Sequence, residues 1–298
     1  MEKILTLVSN NNNIITPHRI EAIEDLIKVQ TSKVWLEDNI ACDISFSTKD
    51  NTDLSMHTMK QLNKLLNNFE YDWSIQNKKD RNKKIFLSDM DSTIIKQECI
   101  DEIAYYANIQ EEVAKITKMA MEGQIPFIDA LRKRVALLKG VKLELLNEMY
   151  HNKIEISDGA KTLLKTLKNK KIKTILVSGG FTFFSDKLSK KLGFDEHYAN
   201  SLEVNDGYLT GKLIMPIIDS SFKKKILNDT VSRLALSCNN VIAVGDGAND
   251  MEMIEAAGLG VSYKGKEILK THSNAQINYT NLKSILYFIG IPQVDFVN

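Results

Sequence analysis

The sequence has few cysteines and no long hydrophobic run. Its 3 cysteines, Cys42, Cys99 and Cys238, are far apart and form no Cys-x-x-Cys pair, so neither a disulfide framework nor a zinc site is indicated. No apolar stretch approaches the roughly 20 residues that a membrane helix needs. The first residues are too acidic, and their apolar run is too short, for a signal peptide. We therefore expect a cytoplasmic protein with no membrane partner.

An excess of charge of one sign is also missing. The chain has 39 Lys and Arg against 38 Asp and Glu, a formal net charge of +1, which gives no basis for nucleic acid as a partner. Hydrophobic residues make up 43% and charged residues 26%, as in ordinary soluble globular proteins. The length of 298 residues allows one large domain or two modest ones.

Residues 1–80 have a pattern of their own. Alternating apolar residues predict strands, and apolar residues at helical spacing predict helices. The strands are predicted over 4–8, over 34–46 with a break at Asp38-Asn39, and over 71–75, and the helices after Pro17 and over 56–66. This β-α-β-β-α-β order predicts a small α+β ferredoxin-like module, followed by a polar linker over 77–83.

Residues 81–298 alternate strands with helices, which predicts an α/β domain with a doubly wound parallel sheet. Buried strands are predicted at four short apolar runs, Lys84–Leu87, Ile172–Val177, Val241–Val244 and Gly258–Val261. The dipeptide Asp206-Gly207 between two strand-like arms predicts a hairpin over 198–214. Between the first two runs, the pattern is helical from about 97 to 156. That stretch is too long for a simple crossover, so we expect an inserted helical cap.

Polar residues follow three of the predicted strands. In open parallel sheets, ligands bind beyond the carboxyl ends of the strands. Residues distant in sequence could therefore converge on one site, namely Asp89 with Asp91, Ser178 with Gly179, and Asp246 with Asp250.

Asp89 and Asp91 lie two residues apart, directly after a strand. Carboxylates this close repel one another, and a cation is needed to keep them all ionised. An all-oxygen ligand set favours Mg²⁺, and an activated carboxylate can attack phosphorus to give an acyl phosphate. Aspartates in this pattern also simply cap turns and helices, so the pair alone leaves both interpretations open.

The other polar clusters are ambiguous when each is taken alone. Ser178-Gly179-Gly180 offers a hydroxyl and open backbone N–H groups to a phosphate, but ordinary strand-to-helix turns have the same composition. Lys223 is the first of three consecutive lysines, and spacing cannot separate it from its neighbours. In Gly245–Asp250 two acids four residues apart flank Asn249, and the glycines let the backbone approach closely.

Together these segments resemble the phosphoserine phosphatases of the haloacid dehalogenase superfamily. The resemblance covers about residues 84–285, and its most specific parts are Glu98–Ala104, Leu131–Val135 and Ser178–Phe184. It implies hydrolysis of O-phospho-L-serine to L-serine and phosphate, the last step of serine biosynthesis, through an aspartyl-phosphate. It also implies an HAD-like Rossmannoid fold and a Mg²⁺ cofactor.

The resemblance also implies a role for each residue of the site. Asp89 would be the nucleophile, and Asp91 would protonate the leaving serine oxygen and then deprotonate the attacking water. Mg²⁺ would be held by Asp89, the Asp91 carbonyl and Asp246, with Asp250 in support. The phosphoryl group would be bound by Ser178, Gly179 and Lys223, with Asn249 on the phosphate side of the substrate.

Specificity would come from the cap. Glu98 would face the ammonium of the substrate and Arg134 its carboxylate, for which a guanidinium offers a matching fork. Met121 and Phe127 would form an apolar wall that excludes water. Without the resemblance, Arg134 would be taken as a surface charge, and Met121 and Phe127 as core residues.

The N-terminal module resembles the small ACT-like domains, which bind ligands or form dimers, so a homodimer is one expected assembly. Three alternatives remain open. They are the same chemistry on another phosphomonoester, a fragment of a P-type ion pump, and a non-catalytic amino-acid sensor. The missing membrane helices count against the pump, and the complete acidic set counts against the sensor.

Overall fold

The computed structural model describes residues 2–47 and 54–298. Over these residues the chain builds one mixed sheet of 11 strands in the order β2-β3-β1-β4-β11-β10-β9-β5-β6-β7-β8. The strands are β1 (Glu2–Val8), β2 (Thr31–Glu37), β3 (Ala41–Ser47), β4 (Asp72–Asn77), β5 (Ile85–Ser88), β6 (Lys173–Phe181), β7 (Glu196–Asn205), β8 (Tyr208–Ile214), β9 (Val241–Gly245), β10 (Leu259–Tyr263) and β11 (Ala275–Ile277).

The helices lie on the faces of this sheet and in the insert. They are α1 (Pro17–Ile27), α2 (Met56–Phe69), α3 (Cys99–Tyr106), α4 (Gln110–Met121), α5 (Phe127–Leu137), α6 (Leu143–Lys153), α7 (Ala160–Asn169), α8 (Thr182–Leu192), α9 (Ser220–Arg233), α10 (Met251–Ala256), α11 (Glu267–Thr271) and α12 (Ser284–Phe288). No helix in the described part of the chain combines the length and apolar character needed to cross a bilayer.

The N-terminal elements follow the predicted order β-α-β-β-α-β. Their strands pair antiparallel, with β1 between β3 and β4, and β2 at the edge. Helix α1 begins at Pro17 after the cap Thr16, and α2 begins after the cap Ser55; each cap side chain accepts a backbone N–H of the first turn. Both helices bury their apolar sides against one face of β1, β3 and β4.

The junction between the N-terminal strands and the rest of the chain is structured. Strand β4 pairs antiparallel with β11, so the two predicted units share one sheet. The predicted linker contains a 3-10 turn over Lys78–Arg81. The Arg81 guanidinium donates to Asp43 at 2.8 Å and to the Tyr287 carbonyl at 3.0 Å. Asp72, fully buried, accepts the backbone N–H groups of 278–280. The sequence pattern missed this connection.

The C-terminal part contains the predicted parallel sheet. Strands β11, β10, β9, β5, β6 and β7 run parallel, and β5, β9 and β6 occupy its middle with buried apolar residues on both faces. The predicted hairpin is present as β7 and β8, and both turn residues have positive φ, 49° at Asp206 and 81° at Gly207, as a two-residue hairpin turn requires.

The insert is the expected helical cap, made of α3 to α6. Its two ends meet at a bridge between Ile95 and Ile156. The far side of the cap is tied to the β7–β8 hairpin by backbone hydrogen bonds, such as Gly140 N–H to the Leu209 carbonyl at 2.8 Å. The cap is therefore anchored at its base and along one side.

Candidate active site

The carboxyl ends of β5, β6 and β9 bring the polar residues together because these strands are adjacent and parallel. Asp89 and Asp91 follow β5, Ser178 lies near the end of β6, and Asp246 follows β9. Oxygen atoms of Asp89, Asp246 and Asp250 lie within 4.8 Å of one another. The convergence predicted from the strand ends is confirmed in the geometry.

Lys223 lies at the centre of this cluster. Its Nζ is 2.6 Å from Asp250 Oδ1 and 2.7 Å from Asp89 Oδ1, and all three side chains are almost completely buried. The contact with Asp89 lacks the alignment of a hydrogen bond. Helix α9 places the lysine there, because Asp219 caps its first turn by accepting the Phe222 N–H at 2.9 Å. Burial separates Lys223 from its neighbours in the lysine run, Lys224 and Lys225, which are exposed.

Asp250 is held by the backbone as well as by Lys223. Its Oδ2 accepts the N–H groups of Asp246 and Gly247 at 3.2 and 3.1 Å. Gly245 lies so close to this carboxylate that a Cβ there would overlap it. Only glycine, which has no Cβ, leaves room for the Asp250 carboxylate at this position.

The electrostatics of the cluster favour a bound cation. Burial, and then the charge of Asp250, raise the pKa of Asp89 well above its usual value, although Lys223 opposes the shift. The same two causes raise the pKa of Asp246 to about 6. Burial lowers the pKa of Lys223, but the negative charges of Asp250 and Asp89 outweigh this effect, so its pKa is raised overall. The residues present fit Mg²⁺, since they offer only oxygen ligands and a buried Asp89 oxygen without a hydrogen bond.

The Asp91 carboxylate is hydrogen-bonded to groups outside the cluster of Asp89, Asp246 and Asp250. Its Oδ1 accepts the Cys99 backbone N–H at 2.9 Å, and its Oδ2 accepts the Ser178 hydroxyl at 3.2 Å. Burial raises its pKa, while Cys99 and Ser178 oppose the shift. A Cβ at Gly180 would overlap Asp91 Oδ2. The Ser178 hydroxyl and Gly180, in the last residues of β6, thus fit closely around this carboxyl group.

Glu98 stands at the start of the cap. Its Oε1 accepts the Ser92 hydroxyl at 2.6 Å. The side chain reaches solvent, but partial burial, and then the charge of Asp91, raise its pKa to about 7. A positive group placed beside Glu98 would relieve that repulsion, which suits recognition of an ammonium.

Arg134 lies in the cap on α5, half-buried. Its Nη1 donates to the Thr117 hydroxyl at 3.4 Å. Burial lowers its pKa, and the nearby charges of Asp101 and Glu98 oppose that shift. Thr117 and Asp101 also line a cap cavity of about 570 Å³, whose other lining residues are Ala104, Gln110, Ala114, Lys118, Met121 and Glu122. None of the clustered carboxylates lines this cavity.

The apolar wall predicted from Met121 and Phe127 stays a prediction. Met121 is 70% exposed and Phe127 is 38% exposed, and Met121 lines the cap cavity. Phe127 nevertheless lies over the site, since a Cβ at Gly179 would be 3.4 Å from its Cζ. Asn249 is half-buried beside Gly247 at the rim of the acidic cluster.

Sequence reasoning missed several residues that shape the site. The Ser92 hydroxyl donates to Glu98, a contact that nothing in the sequence pattern indicated. The Cys99 N–H donates to Asp91, and the Thr117 hydroxyl accepts from Arg134. No motif of the sequence covers either pair. Asn200 is buried between two loops of the site, and a polar residue within a strand was the one weak signal for it.

Comparison with known proteins agrees with this geometry. A family model for haloacid dehalogenase-like hydrolases matches residues 83–258, so the chain belongs to that hydrolase family. Among curated relatives, the phosphoserine phosphatase of Archaeoglobus fulgidus is 43% identical over 213 residues, which cover 72% of this chain and 62% of that protein. The phosphoserine phosphatase of Polaromonas sp. is 42% identical over 211 residues, 69% of this chain and 89% of that protein. The resemblance found in the sequence is confirmed.

The N-terminal strands are included in a structural match. The solved structure of a HAD family hydrolase from Salmonella enterica serovar Typhi superposes with a TM-score of 0.85 at 29% identity. The match covers 97% of this chain and 99% of that one. The HAD-like α/β fold with its inserted cap is thereby confirmed for the domain that contains the site.

Proposed function

We propose that this protein hydrolyses O-phospho-L-serine to L-serine and phosphate through an aspartyl-phosphate on Asp89. One observation supports the proposal: the buried acidic cluster around Lys223 and the cap residues Glu98 and Arg134 are neighbours, because the charge of Glu98 interacts both with Asp246 and with Arg134. The first group suits a phosphoryl group, and the second suits an amino-acid head group. The relatives named above are phosphoserine phosphatases that are 43% and 42% identical to this chain over the aligned residues.

In the first step an oxygen of Asp89 attacks phosphorus, and the bond from phosphorus to the serine oxygen breaks. The Lys223 ammonium, held against Asp89, balances charge on the phosphoryl oxygens. The Ser178 hydroxyl and Gly179 N–H bind the same oxygens. Asp91, whose pKa is raised by burial, delivers its proton to the departing serine oxygen.

In the second step Asp91, now ionised, takes a proton from a water molecule that attacks the phosphoryl group. The bond to Asp89 breaks, so the nucleophile is regenerated. Asp89, the Asp91 carbonyl and Asp246 would hold Mg²⁺, and Asp250 would support them through its backbone hydrogen bonds. When bound, the ion supplies positive charge to the phosphoryl group.

Three further proposals concern the location, the assembly and the domain division of the protein. We place it in the cytoplasm, because the three cysteines are free thiols and Cys42 and Cys99 are buried, which suits a reducing compartment. A homodimer formed through the N-terminal strands is also proposed, as is the division into a module over 1–80 and a phosphatase domain over 81–298. Size measurement in solution tests the dimer.

A substrate panel tests the function directly. Initial rates on phosphoserine, phosphothreonine, phosphoethanolamine and a sugar phosphate are measured with Mg²⁺ and with EDTA. We expect the highest kcat/KM for phosphoserine, and activity that EDTA removes and Mg²⁺ restores. A preference for the sugar phosphate would overturn the substrate, and full activity in EDTA would overturn the metal.

Replacing Arg134 should separate head-group recognition from chemistry. Arg134→Ala removes the guanidinium proposed to pair with the substrate carboxylate. Loss of one partner of such a pair costs about 2 kcal/mol or more, so kcat/KM for phosphoserine should fall at least about 30-fold. Phosphoethanolamine has no carboxylate, and its kcat/KM should change little. Arg132→Ala, exposed on the same helix, is the matched control; equal losses for both substrates would contradict the assignment.

A further inference from the structure

We infer that Asn200 is a positioning residue that holds the two phosphate-binding loops of the site in register. The first of these loops is the irregular last part of β6, where the pairing with β7 is interrupted between Val177 and Phe181, and it contains Gly179. The other joins β8 to α9 and delivers Lys223. The inference rests on the proposal that Gly179 and Lys223 bind the phosphoryl group, and it adds a residue that no motif of the sequence indicated.

The side-chain amide of Asn200 is fully used by these two loops. Its Nδ2 donates to the Gly179 carbonyl at 2.8 Å and to the Ile218 carbonyl at 3.3 Å. Its Oδ1 accepts the Ile218 N–H at 2.8 Å. Asn200 has no solvent exposure and Ile218 has 4%, so water does not compete for these bonds. A buried amide with all its partners in two loops fixes their separation.

The bonded positions are directly connected to the groups that bind phosphate. Gly179 is itself one of the groups proposed to bind phosphate, and its carbonyl accepts from the Asn200 side chain. Ile218 immediately precedes the cap residue Asp219, whose side chain fixes the first turn of α9. Lys223 is in that turn, and its Nζ reaches Asp89 and Asp250. A shift of Ile218 therefore displaces the lysine relative to Gly179.

The geometry makes a selective prediction. Phosphate contacts both loops, whereas L-serine, the other product, is recognised through Glu98 and Arg134 in the cap. Loss of the Asn200 bonds should weaken the binding of phosphate and leave the binding of serine unchanged. A residue that served the fold alone would not distinguish the two products.

The test compares Asn200→Ala and Asn200→Asp with wild type in the full chain with Mg²⁺. The aspartate has nearly the shape of asparagine and keeps an acceptor for the Ile218 N–H, but when ionised it has no donor for the two carbonyls; thermal melting establishes that each variant is folded before its constants are compared. Inhibition constants for inorganic phosphate and L-serine are measured with kcat and KM for phosphoserine. We expect both variants to raise the inhibition constant of phosphate at least about 10-fold, equivalent to about 1.4 kcal/mol, without changing that of serine.

Asn274→Ala is the matched control. The Asn274 side chain also makes two backbone hydrogen bonds, accepting the Gly260 N–H at 2.7 Å and donating to the Gly258 carbonyl at 3.3 Å, but both partners lie at the start of β10 and outside the two loops of the site. It should lower thermal stability and leave phosphate inhibition unchanged. Equal effects of Asn200 and Asn274 variants on phosphate, or equal weakening of phosphate and serine, would overturn the inference. A wild-type protein that neither binds phosphate nor cleaves phosphoserine would instead overturn the proposed function.

Discussion

Asp89→Asn is expected to abolish hydrolysis of phosphoserine while the protein stays folded. An amide has no negative charge with which to attack phosphorus, and loss of a covalent nucleophile reduces kcat on the order of 10⁶-fold in a well-studied protease. Asparagine has the same shape as aspartate, so the packing around the site is kept. Rates with Mg²⁺ and the trapping of a phosphorylated protein measure the effect. Retained turnover would refute the nucleophile.

The same substitution should change how stability depends on pH without metal. The pKa of Asp89 is raised in the folded protein, so the folded state binds this proton more tightly than the unfolded state. Wild-type stability therefore falls as pH rises from the unfolded pKa, about 4, through the folded pKa. In EDTA at pH 8, Asp89→Asn should melt at or above the wild-type temperature. Asp229→Asn, exposed on α9, should match wild type in both activity and melting.

Among the substitutions proposed for the site, Lys223→Met is expected to lower the free energy of unfolding the most. Methionine fills a similar volume, but it leaves Asp89 and Asp250 buried beside each other without a counter-charge. Removing one partner of a buried ion pair costs about 3–5 kcal/mol, a large part of the stability of a typical domain. The free energy of unfolding from denaturant titration measures this loss. Activity should also disappear, because the phosphoryl group loses its lysine.

Two further measurements separate charge from packing in this variant. Stability should recover as pH falls, because protonation of Asp89 removes an unpaired charge, and Mg²⁺ should restore part of it at neutral pH. Lys224→Met is the control; this lysine is exposed and its ion pair with Glu252 spans 3.9 Å, so the change should be within about 0.5 kcal/mol. A loss for Lys223→Met that ignores both pH and Mg²⁺ would contradict the electrostatic explanation.

The parts of the fold that the sequence predicted are those with local signals. Periodicity predicts β5, β9 and the helices of the cap, and Asp206-Gly207 predicts its hairpin. The convergence of Asp89 and Asp246 follows from the rule for parallel strand ends. Such features depend on residues close in the chain or on a general property of sheets.

The unpredicted parts depend on single contacts between distant residues. Strand β11 has 3 residues, and its apolar alternation is too short to identify it as a strand. Its pairing with β4 could therefore not be predicted from the sequence. Spacing could not distinguish Lys223 from the next two lysines; the family resemblance singled it out, and the structure buries it. Asn200 has no motif, because its function depends on two carbonyls and an N–H that any residue supplies.

The pairing of β4 with β11 has a consequence for the newly made chain. About 200 residues separate these strands, so the side of β4 that pairs with β11 is without its partner until the residues between them have been synthesised. An unpaired strand edge is a template for pairing with other chains, and contacts this distant in sequence form late. The N-terminal strands should therefore be most prone to aggregation before residue 275 emerges, and any truncation before β11 should keep them in that state.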